Sequence, residues 1–248
     1  MASHGRYVKS LAVKEGEKDY DIAPDATLRA ALIRNGENRG SFSITSNDLR
    51  KKLYKRPQST LIVFVVDSSD SMGDDGSYAR IKEAKGAVLA ILSKAYQKRH
   101  RVSMVTFREA SAEILLYPTT SLNRAERSLR ALPTGGVTPF ADGLLKAWRI
   151  VKTERLKDPG IRPLLVILSD GEANVPHDPA YGLTGVMDEL FVIAGRIGSD
   201  GISSLVIDTR PLHKPSTEMS EIAAAIGGNY HHISSLKAAG MVQAVVNF

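Results

Sequence analysis

The sequence has no cysteine among its 248 residues, and this absence excludes several classes of protein. Without a thiol there is no disulfide scaffold, no cysteine-ligated zinc or iron–sulfur cluster, and no cysteine nucleophile. Long apolar runs are also missing, because no stretch approaches the roughly 18–20 uninterrupted apolar residues of a membrane helix. The first 20 residues carry seven charged side chains instead of the apolar core of a signal peptide. We therefore expect a cytoplasmic protein.

A strong excess of one charge is absent as well, since 33 basic and 27 acidic side chains leave a net charge of +6. Basic side chains cluster at residues 50–56 and 94–101, and the second cluster lies at a predicted helix end, where the helix dipole favours cations. Nucleic-acid binding would require a recognition motif, and the sequence has neither zinc-finger spacing nor an aromatic-rich RNA-binding signature. We expect solvated basic faces, or docking onto an acidic partner protein, and no nucleic acid.

Residues 1–58 differ in pattern from the rest of the chain. They are polar, with scattered glycine and proline and only short patterned pieces. The spacing predicts a helix over residues 25–34 and a short strand over residues 41–44, and residues 46–47 are typical of a cap for a basic turn that follows. We predict that residues 1–58 form an N-terminal extension that packs on a main domain of residues 59–248.

From residue 59 onward, short apolar segments alternate with amphipathic ones. Continuous apolar runs at residues 61–66 and 164–168 are typical of strands buried on both faces. The predicted strands cover residues 61–66, 102–107, 112–116, 164–168, 203–207 and the surroundings of 230, and the predicted helices cover residues 79–96, 121–132, 139–151, 187–196, 219–226 and 236–246. The third strand follows the second too closely for a parallel crossover and should be an antiparallel edge strand. The pattern predicts an α/β fold with a doubly wound, mostly parallel sheet and helices on both faces.

Polar loops follow the predicted buried strands, at the sheet edge where open α/β folds bind ligands. Residues 67–73 follow the first strand, residues 169–172 follow the fourth, and a Gly-rich segment at 135–139 leads into a helix. The candidate metal ligands in these loops are Asp67, Ser69, Ser71, Thr138 and Asp170. All are hard oxygen donors, which suit Mg²⁺, Mn²⁺ or Ca²⁺ better than zinc or copper. One such loop alone would usually be an ordinary turn, but three together favour a site for Mg²⁺, with Mn²⁺ as the alternative.

These residues carry a family resemblance. The motif Asp67-x-Ser69-x-Ser71, together with Thr138 and Asp170, resembles the metal-ion-dependent adhesion site (MIDAS) of von Willebrand factor A (VWA) domains. A closer resemblance is to the C-terminal region of the D subunit of magnesium chelatase and of similar metal chelatases. This resemblance rests on the segments DGEANVP at 170–176 and GGVTPFADGL at 135–144, and on shorter segments at 5–7 and 25–31. The resemblance covers nearly the whole chain and implies a VWA, Rossmann-like fold.

The resemblance also implies a function. It implies a non-catalytic, metal-dependent interaction subunit that couples to an AAA+ ATPase chelatase subunit, and to a large tetrapyrrole-binding subunit, through a partner carboxylate on the metal. The sequence contains no GxxxxGK[ST] loop, so the nucleotide would be bound by another protein. Asp70 departs from the family pattern, which usually has glycine there, and adds a carboxylate beside the site.

Two other functions remain open. A stand-alone binding or adhesion module, unrelated to chelation, would use the same site, although the missing cysteines and signal peptide argue against an extracellular one. A Mg²⁺-dependent phosphohydrolase would use Asp67 as its nucleophile. That chemistry typically needs a second carboxylate two residues later, where this sequence has Ser69, and a nearby lysine, which is missing.

Five further residues are weaker candidates for the site. His231 and His232 are adjacent on a predicted strand and point to opposite faces, which makes them a poor chelating pair. Trp148 lies at helical spacing with apolar residues and is predicted in the core. His177 and Glu172 are predicted near the site edge, as a partner contact and as a group adjoining Asp170.

Overall fold

The structure, a computed structural model, describes residues 6–36, 42–55, 60–69, 78–108, 111–132 and 135–235. The chain divides into two compact units, residues 1–58 and residues 59–248. The helix predicted over residues 236–246 lies outside the described residues. That the first unit packs on the second stays a prediction.

The first unit contains a two-stranded antiparallel sheet that the sequence did not predict. Strand β1 (Arg6–Ala12) pairs with strand β2 (Arg50–Lys55), and the rings of Tyr7 and Tyr54 meet edge to face across it. The basic turn expected after residue 47 is therefore wrong, because Arg50, Lys51 and Lys52 are half-buried residues of a strand. The strand predicted at 41–44 is also wrong, since residues 42–44 have no regular secondary structure.

The helix predicted over residues 25–34 is confirmed as α1 (Pro24–Asn35), which begins with a proline at a position where its missing N–H is harmless. A 3₁₀ turn (Ser46–Asp48) precedes β2, and its cap is Thr45, one residue earlier than expected. The Thr27 hydroxyl on the buried face of α1 accepts a hydrogen bond from the N–H of Arg50 at 2.9 Å. This bond ties the helix to the start of β2.

An ion pair between an exposed arginine and a buried aspartate also holds the first unit together. The guanidinium of Arg34 donates to both oxygens of Asp48, at 3.0 Å from Nε and 2.8 Å from Nη2, and the N–H of Thr45 donates to the same carboxylate at 2.7 Å. First the Arg34 guanidinium and then the Thr45 N–H hold the pKa of Asp48 well below its usual range. This lowered pKa makes Asp48 a stabilising group only while it is ionised.

Asp48→Asn is expected to loosen the first unit at neutral pH, with several-fold faster hydrogen exchange at the N–H groups of Thr45 and Arg50. Because the folded-state pKa is depressed, the stabilisation is present above the ordinary value of about 4 and is lost as the pH falls below it. The wild type should therefore approach the variant in acid. Asp19→Asn, which alters an exposed carboxylate of the same unit, is the control. Equal exchange rates in all three proteins at neutral pH would contradict this role of the ion pair.

The second unit is a six-stranded sheet with the order β5-β4-β3-β6-β7-β8. Its strands are β3 (Thr60–Asp67), β4 (Arg101–Arg108), β5 (Ser111–Thr119), β6 (Arg162–Ser169), β7 (Ser203–Asp208) and β8 (Asn229–His232). Its described helices are α2 (Tyr78–Gln97), α3 (Leu122–Arg130), α4 (Phe140–Lys157), α5 (Val186–Ser199) and α6 (Thr217–Ile226). All neighbouring strands are parallel except the β4–β5 pair at one edge. The predicted α/β fold with one antiparallel edge strand is confirmed.

The core of this unit explains the continuous apolar runs in the sequence. Along β3, Leu61, Val63 and Val65 belong to one buried cluster with α4, α5 and α6, while alternate residues belong to a second cluster with α2 and α3. Both faces of β3 are thus covered, which is why residues 61–66 are all apolar. None of the helices in the described ranges combines the length and apolarity that crossing a membrane requires.

Trp148 lies on α4, at the border of the first of these clusters. Its half-buried ring packs against the cluster, as predicted, and its indole N–H donates to the carboxylate of Asp200. The ammonium of Lys152 lies 3.9 Å from the ring centroid, a cation–π contact one turn along the helix. Trp148 therefore joins the apolar core to charged groups at its rim.

Candidate metal centre

Strand β3 carries Asp67 to the carboxyl edge of the sheet, where its side chain is buried with 1% exposure. One carboxylate oxygen accepts the N–H and the hydroxyl of Ser69, at 3.0 and 2.6 Å, so the loop turns back onto the carboxylate. The other oxygen accepts the hydroxyl of Ser169 from the neighbouring strand β6, at 2.6 Å. The carboxylate is therefore fixed in orientation by two loops.

Asp170 follows β6 directly and, because β6 is the parallel neighbour of β3, it arrives at the same edge. Its side chain is 1% exposed and accepts the N–H of Glu172 at 3.1 Å. Burial first, and then the negative charge of Asp170, raise the pKa of Asp67 from 3.8 to about 7. Two carboxylates thus act on each other in a place that excludes water.

Thr138 comes from the loop before α4 and is also 1% exposed. Its N–H donates to the side-chain oxygen of Asn174 at 2.7 Å, and the N–H of Asn174 donates back to the carbonyl of Thr138 at 3.3 Å. Earlier in the same loop, the N–H of Gly135 donates to the carbonyl of Ser68 at 2.8 Å. The loop is therefore held between the loops that follow β3 and β6.

The structure brings Asp67 and Ser69 into contact, places Asp170 beside them and links the Thr138 backbone to the Asp170 loop. Ser71 and Asp70 lie outside the described residues, so their places stay predictions. The assignment of Asp67, Ser69, Ser71, Thr138 and Asp170 as metal ligands also stays a prediction.

Two residues that orient the site were not identified from the sequence. The Ser169 hydroxyl donates to Asp67 and accepts the N–H of Gly171 at 3.1 Å, which couples the two acidic loops. The available signal was a serine at the end of an apolar strand, immediately before an aspartate. Asn174 lies within the segment 170–176, but only its contact with Thr138 shows what its amide does.

Gly171 lies where two loops approach closely. Its φ is +85°, a conformation that favours glycine, and a Cβ there would lie 2.2 Å from the hydroxyl oxygen of Ser216. Ser216 caps α6 by accepting the N–H of Met219 at 3.2 Å, and its own N–H donates to Asp208 at 2.6 Å. The site loop is thus packed against the start of α6.

The weaker candidates lie away from this centre or at its margin. Glu172 is exposed, with a carboxylate oxygen 3.9 Å from Arg210. His177 Nδ1 lies 3.3 Å from a carboxylate oxygen of Asp142, at the start of α4. His232 is buried on β8, where its ring nitrogens contact the Arg210 carbonyl and the Ser234 hydroxyl. These contacts leave the His232 ring engaged in holding β8 to its neighbouring loops.

The donor set fits a hard cation. Within the described ranges, no three His, Asp or Glu side chains form a group able to hold a metal ion, so a cation here would rely on two carboxylates and on hydroxyls. The described donors are the carboxylates of Asp67 and Asp170 and the hydroxyls of Ser69 and Thr138. Mg²⁺ prefers such oxygen ligands, accepts one or two carboxylates and keeps several waters. The chemistry therefore suits Mg²⁺ or Mn²⁺.

Comparison with protein families gives two matches on the chain. Residues 62–172 match the von Willebrand factor type A domain, and residues 4–54 match the AAPxQ domain. The first match contains the loops of Asp67, Thr138 and Asp170. The second falls within the first compact unit.

Curated relatives extend the similarity over nearly the whole chain. The magnesium-chelatase 67 kDa subunit of Chlorobaculum parvum is 36% identical over 259 residues, covering 98% of this chain and 41% of that subunit. The 60 kDa subunit of Rhodobacter capsulatus is 31% identical over 232 residues, covering 90% of this chain and 40% of that subunit. The uncharacterized protein MJ0910 of Methanocaldococcus jannaschii is 36% identical over 162 residues, which cover 65% of this chain and 90% of that protein. The chain therefore spans about two fifths of the chelatase subunits it matches.

Solved structures show the same fold at low identity. The vWF domain of the pili tip protein Mfa5 from Porphyromonas gingivalis has a TM-score of 0.58 and 15% identity, covering 77% of this chain and 95% of that one. The SpRpn10 VWA domain has a TM-score of 0.55 and 18% identity, covering 75% of this chain and 93% of that domain. Together with the family match and the relatives, these similarities confirm the resemblance drawn from the motifs.

Proposed function

We propose that this chain, which belongs to the von Willebrand factor type A domain family and is related to magnesium-chelatase subunits, is a metal-dependent interaction subunit. It would couple to an AAA+ ATPase chelatase subunit for metal insertion into a tetrapyrrole, with a large tetrapyrrole-binding subunit as a second partner. The observation that carries the proposal is the buried cluster of Asp67, Ser69, Thr138 and Asp170 at the carboxyl edge of the sheet, each 1% exposed.

Each residue has a distinct part in this proposal. Asp67 and Asp170 supply the negative charge, and the hydroxyls of Ser69 and Thr138 supply neutral donors, with Ser71 as a further predicted ligand. Ser169 holds the Asp67 carboxylate in position, and Asn174 holds the Thr138 loop. When bound, Mg²⁺ would supply a centre that accepts a carboxylate oxygen from the partner, as in a MIDAS. Because two carboxylates are already buried together, a cation offsets their mutual repulsion.

The sequence and the relatives support this division of labour between the chain and its partner. The chain matches about two fifths of the chelatase subunits, and its 248 residues contain no GxxxxGK[ST] loop for a nucleotide phosphate. In this proposal, ATP hydrolysis belongs to the partner. Specific recognition of that partner is the role that we assign to this chain, without catalysis of its own.

Capture of an ATPase-type magnesium-chelatase subunit by the immobilised chain tests the proposal. We expect capture in Mg²⁺ to fall at least about tenfold with EDTA and with Asp67→Ala, since both remove the centre that the partner carboxylate binds. Asp188→Ala, which removes an exposed carboxylate on α5, is the matched control and should leave capture unchanged. Circular dichroism should show the same fold in all three proteins. Capture that is indifferent to both EDTA and Asp67→Ala would refute the proposal.

A further inference from the structure

The positive charge of the chain is concentrated in its first unit. Residues 1–58 contain 12 Lys and Arg against 7 Asp and Glu, a net charge of +5. Residues 59–248 contain 21 against 20, so the larger unit contributes only +1 to the total of +6. The candidate metal centre lies in the nearly neutral unit. It therefore does not account for the positive charge of the first unit.

Part of this charge lines a groove within the first unit. The groove encloses about 500 Å³ and is lined by residues of β1, α1 and the start of β2. Three cationic side chains come from these three elements, Lys9 from β1, Arg29 from α1 and Arg50 from β2, and Asp25 is the one acidic residue in the lining. The groove therefore presents a net positive surface to whatever enters it.

The cations differ in how they are held. Arg50 Nη1 donates to the carbonyl oxygens of Asn47 and Leu49, at 2.8 and 3.1 Å, which fixes its guanidinium at the groove. Lys9 and Arg29 are exposed, and within the described ranges neither side chain forms a hydrogen bond or an ion pair. One cation is thus held in place and two are available to an incoming anion.

The groove also has an apolar component. Small side chains of α1, Ala26 and Ala30, are half-buried in its lining and leave room for an inserted side chain. Tyr7 and Ile33 line it as well and are 41% and 74% exposed. An occupant with carboxylates alone would leave this apolar surface in contact with water, which is unfavourable at about 25 cal/mol per Å².

We propose that this groove binds an acidic, extended segment of a partner protein, whose carboxylates pair with Lys9, Arg29 and Arg50. An apolar side chain of that segment would lie over Ala26 and Ala30. A protein segment fits better than nucleic acid because it alternates carboxylates with apolar side chains, whereas a phosphate backbone would leave the apolar lining uncovered. The residues that line the groove all belong to the first unit, and none of them is a candidate metal ligand.

Fluorescence anisotropy with the full chain in EDTA tests the groove apart from any metal-dependent contact. The probe is a labelled peptide of about ten residues alternating Glu and Leu, which spans roughly 33 Å when extended. We expect saturable binding that weakens with salt. Replacing every Glu of the peptide by Gln should remove it.

Paired charge reversals separate the groove from general electrostatics. Lys9→Glu with Arg29→Glu should weaken binding at least about tenfold, because attraction becomes repulsion at both sites. Lys14→Glu with Lys18→Glu makes the same change in net charge outside the groove and should weaken binding no more than about threefold. Ala30→Trp, which fills the groove without altering charge, should also abolish binding. Equal losses in the two charge-reversal proteins, unchanged affinity in Ala30→Trp, or equally tight binding of a single-stranded oligonucleotide would overturn the proposal.

Discussion

Asp67→Asn is expected to abolish Mg²⁺ binding and, in the absence of metal, to make the second unit more stable. The variant keeps the shape of the side chain and the oxygen that accepts the Ser69 N–H, and its amide can donate to the Ser169 hydroxyl. The variant removes one of two buried negative charges. A cation needs both charges for binding, but in the metal-free fold their burial is unfavourable. The two effects therefore have opposite signs.

The stability gain depends on pH in a defined direction. The pKa of Asp67 is raised from 3.8 to about 7, so the folded chain holds its proton after the unfolded chain has lost it. The contribution of Asp67 to metal-free stability should therefore fall as the pH rises from about 4 to about 7, with no further loss above that range. The Asp67→Asn variant does not lose this stability. Its gain in stability over the wild type is therefore largest at alkaline pH and smallest in acid.

Two measurements check this pair of effects. Calorimetric titration with MgCl₂ should show at least about a hundredfold loss of affinity in Asp67→Asn, comparable to removing a charged ligand from a small site (~3 kcal/mol). Urea unfolding in EDTA at several pH values should show the gain in stability. Asp188→Asn, the same chemical change at an exposed position, should alter neither. A variant that retains Mg²⁺ affinity, or that loses stability at alkaline pH, would contradict the assignment of Asp67.

Gly171→Ala is expected to damage both the site loop and the start of α6. The left-handed conformation of residue 171 is unfavourable for alanine, and the new Cβ would lie 2.2 Å from the hydroxyl oxygen of Ser216 and 3.0 Å from Met219 Cγ. Together the backbone strain and the overpacking should lower the free energy of unfolding by about 2–4 kcal/mol. Because Gly171 follows Asp170 directly, Mg²⁺ affinity should fall as well.

A double mutant separates the two causes. In a Ser216→Ala background the closest contact of the new Cβ disappears, so adding Gly171→Ala should be less destabilising than it is in the wild type. Gly195→Ala on α5, where a Cβ would meet nothing within 4 Å, is the control and should be neutral or slightly stabilising. Urea unfolding of the wild type, the two single mutants, the double mutant and the control gives the comparison. Additive losses would show that the Ser216 contact is not the reason glycine is needed.

The sequence predicted the second unit well because burial leaves a strong pattern there. Strand β6 lies between β3 and β7 and is covered on both faces. Its apolar run at 164–168 therefore predicts a buried strand. In the first unit the same reasoning failed at β2, whose six residues include four cations. A two-stranded ribbon buries little, so its pairing depends on contacts distant in sequence, such as that between Tyr7 and Tyr54.

The candidate site could be predicted as residues but not as contacts. Asp67 and Asp170 stood out because they directly follow apolar strands, and Thr138 stood out because it lies in a Gly-rich segment that leads into a helix. The roles of Ser169 and Asn174 depend on partners 102 and 36 residues away in the chain, which no local pattern specifies. The raised pKa of Asp67 likewise follows from the burial of two loops together.

The position of Trp148 makes the second unit optically distinct from the first. It is the single tryptophan of the chain, and the aromatic residues described in the first unit are tyrosines and Phe42. Indole emission therefore reports on α4 alone, and a ring that contacts the Lys152 ammonium and the Asp200 carboxylate will change its emission when those charges move away. Unfolding of the second unit can thus be followed by its own tryptophan fluorescence, to which the first unit contributes no indole emission.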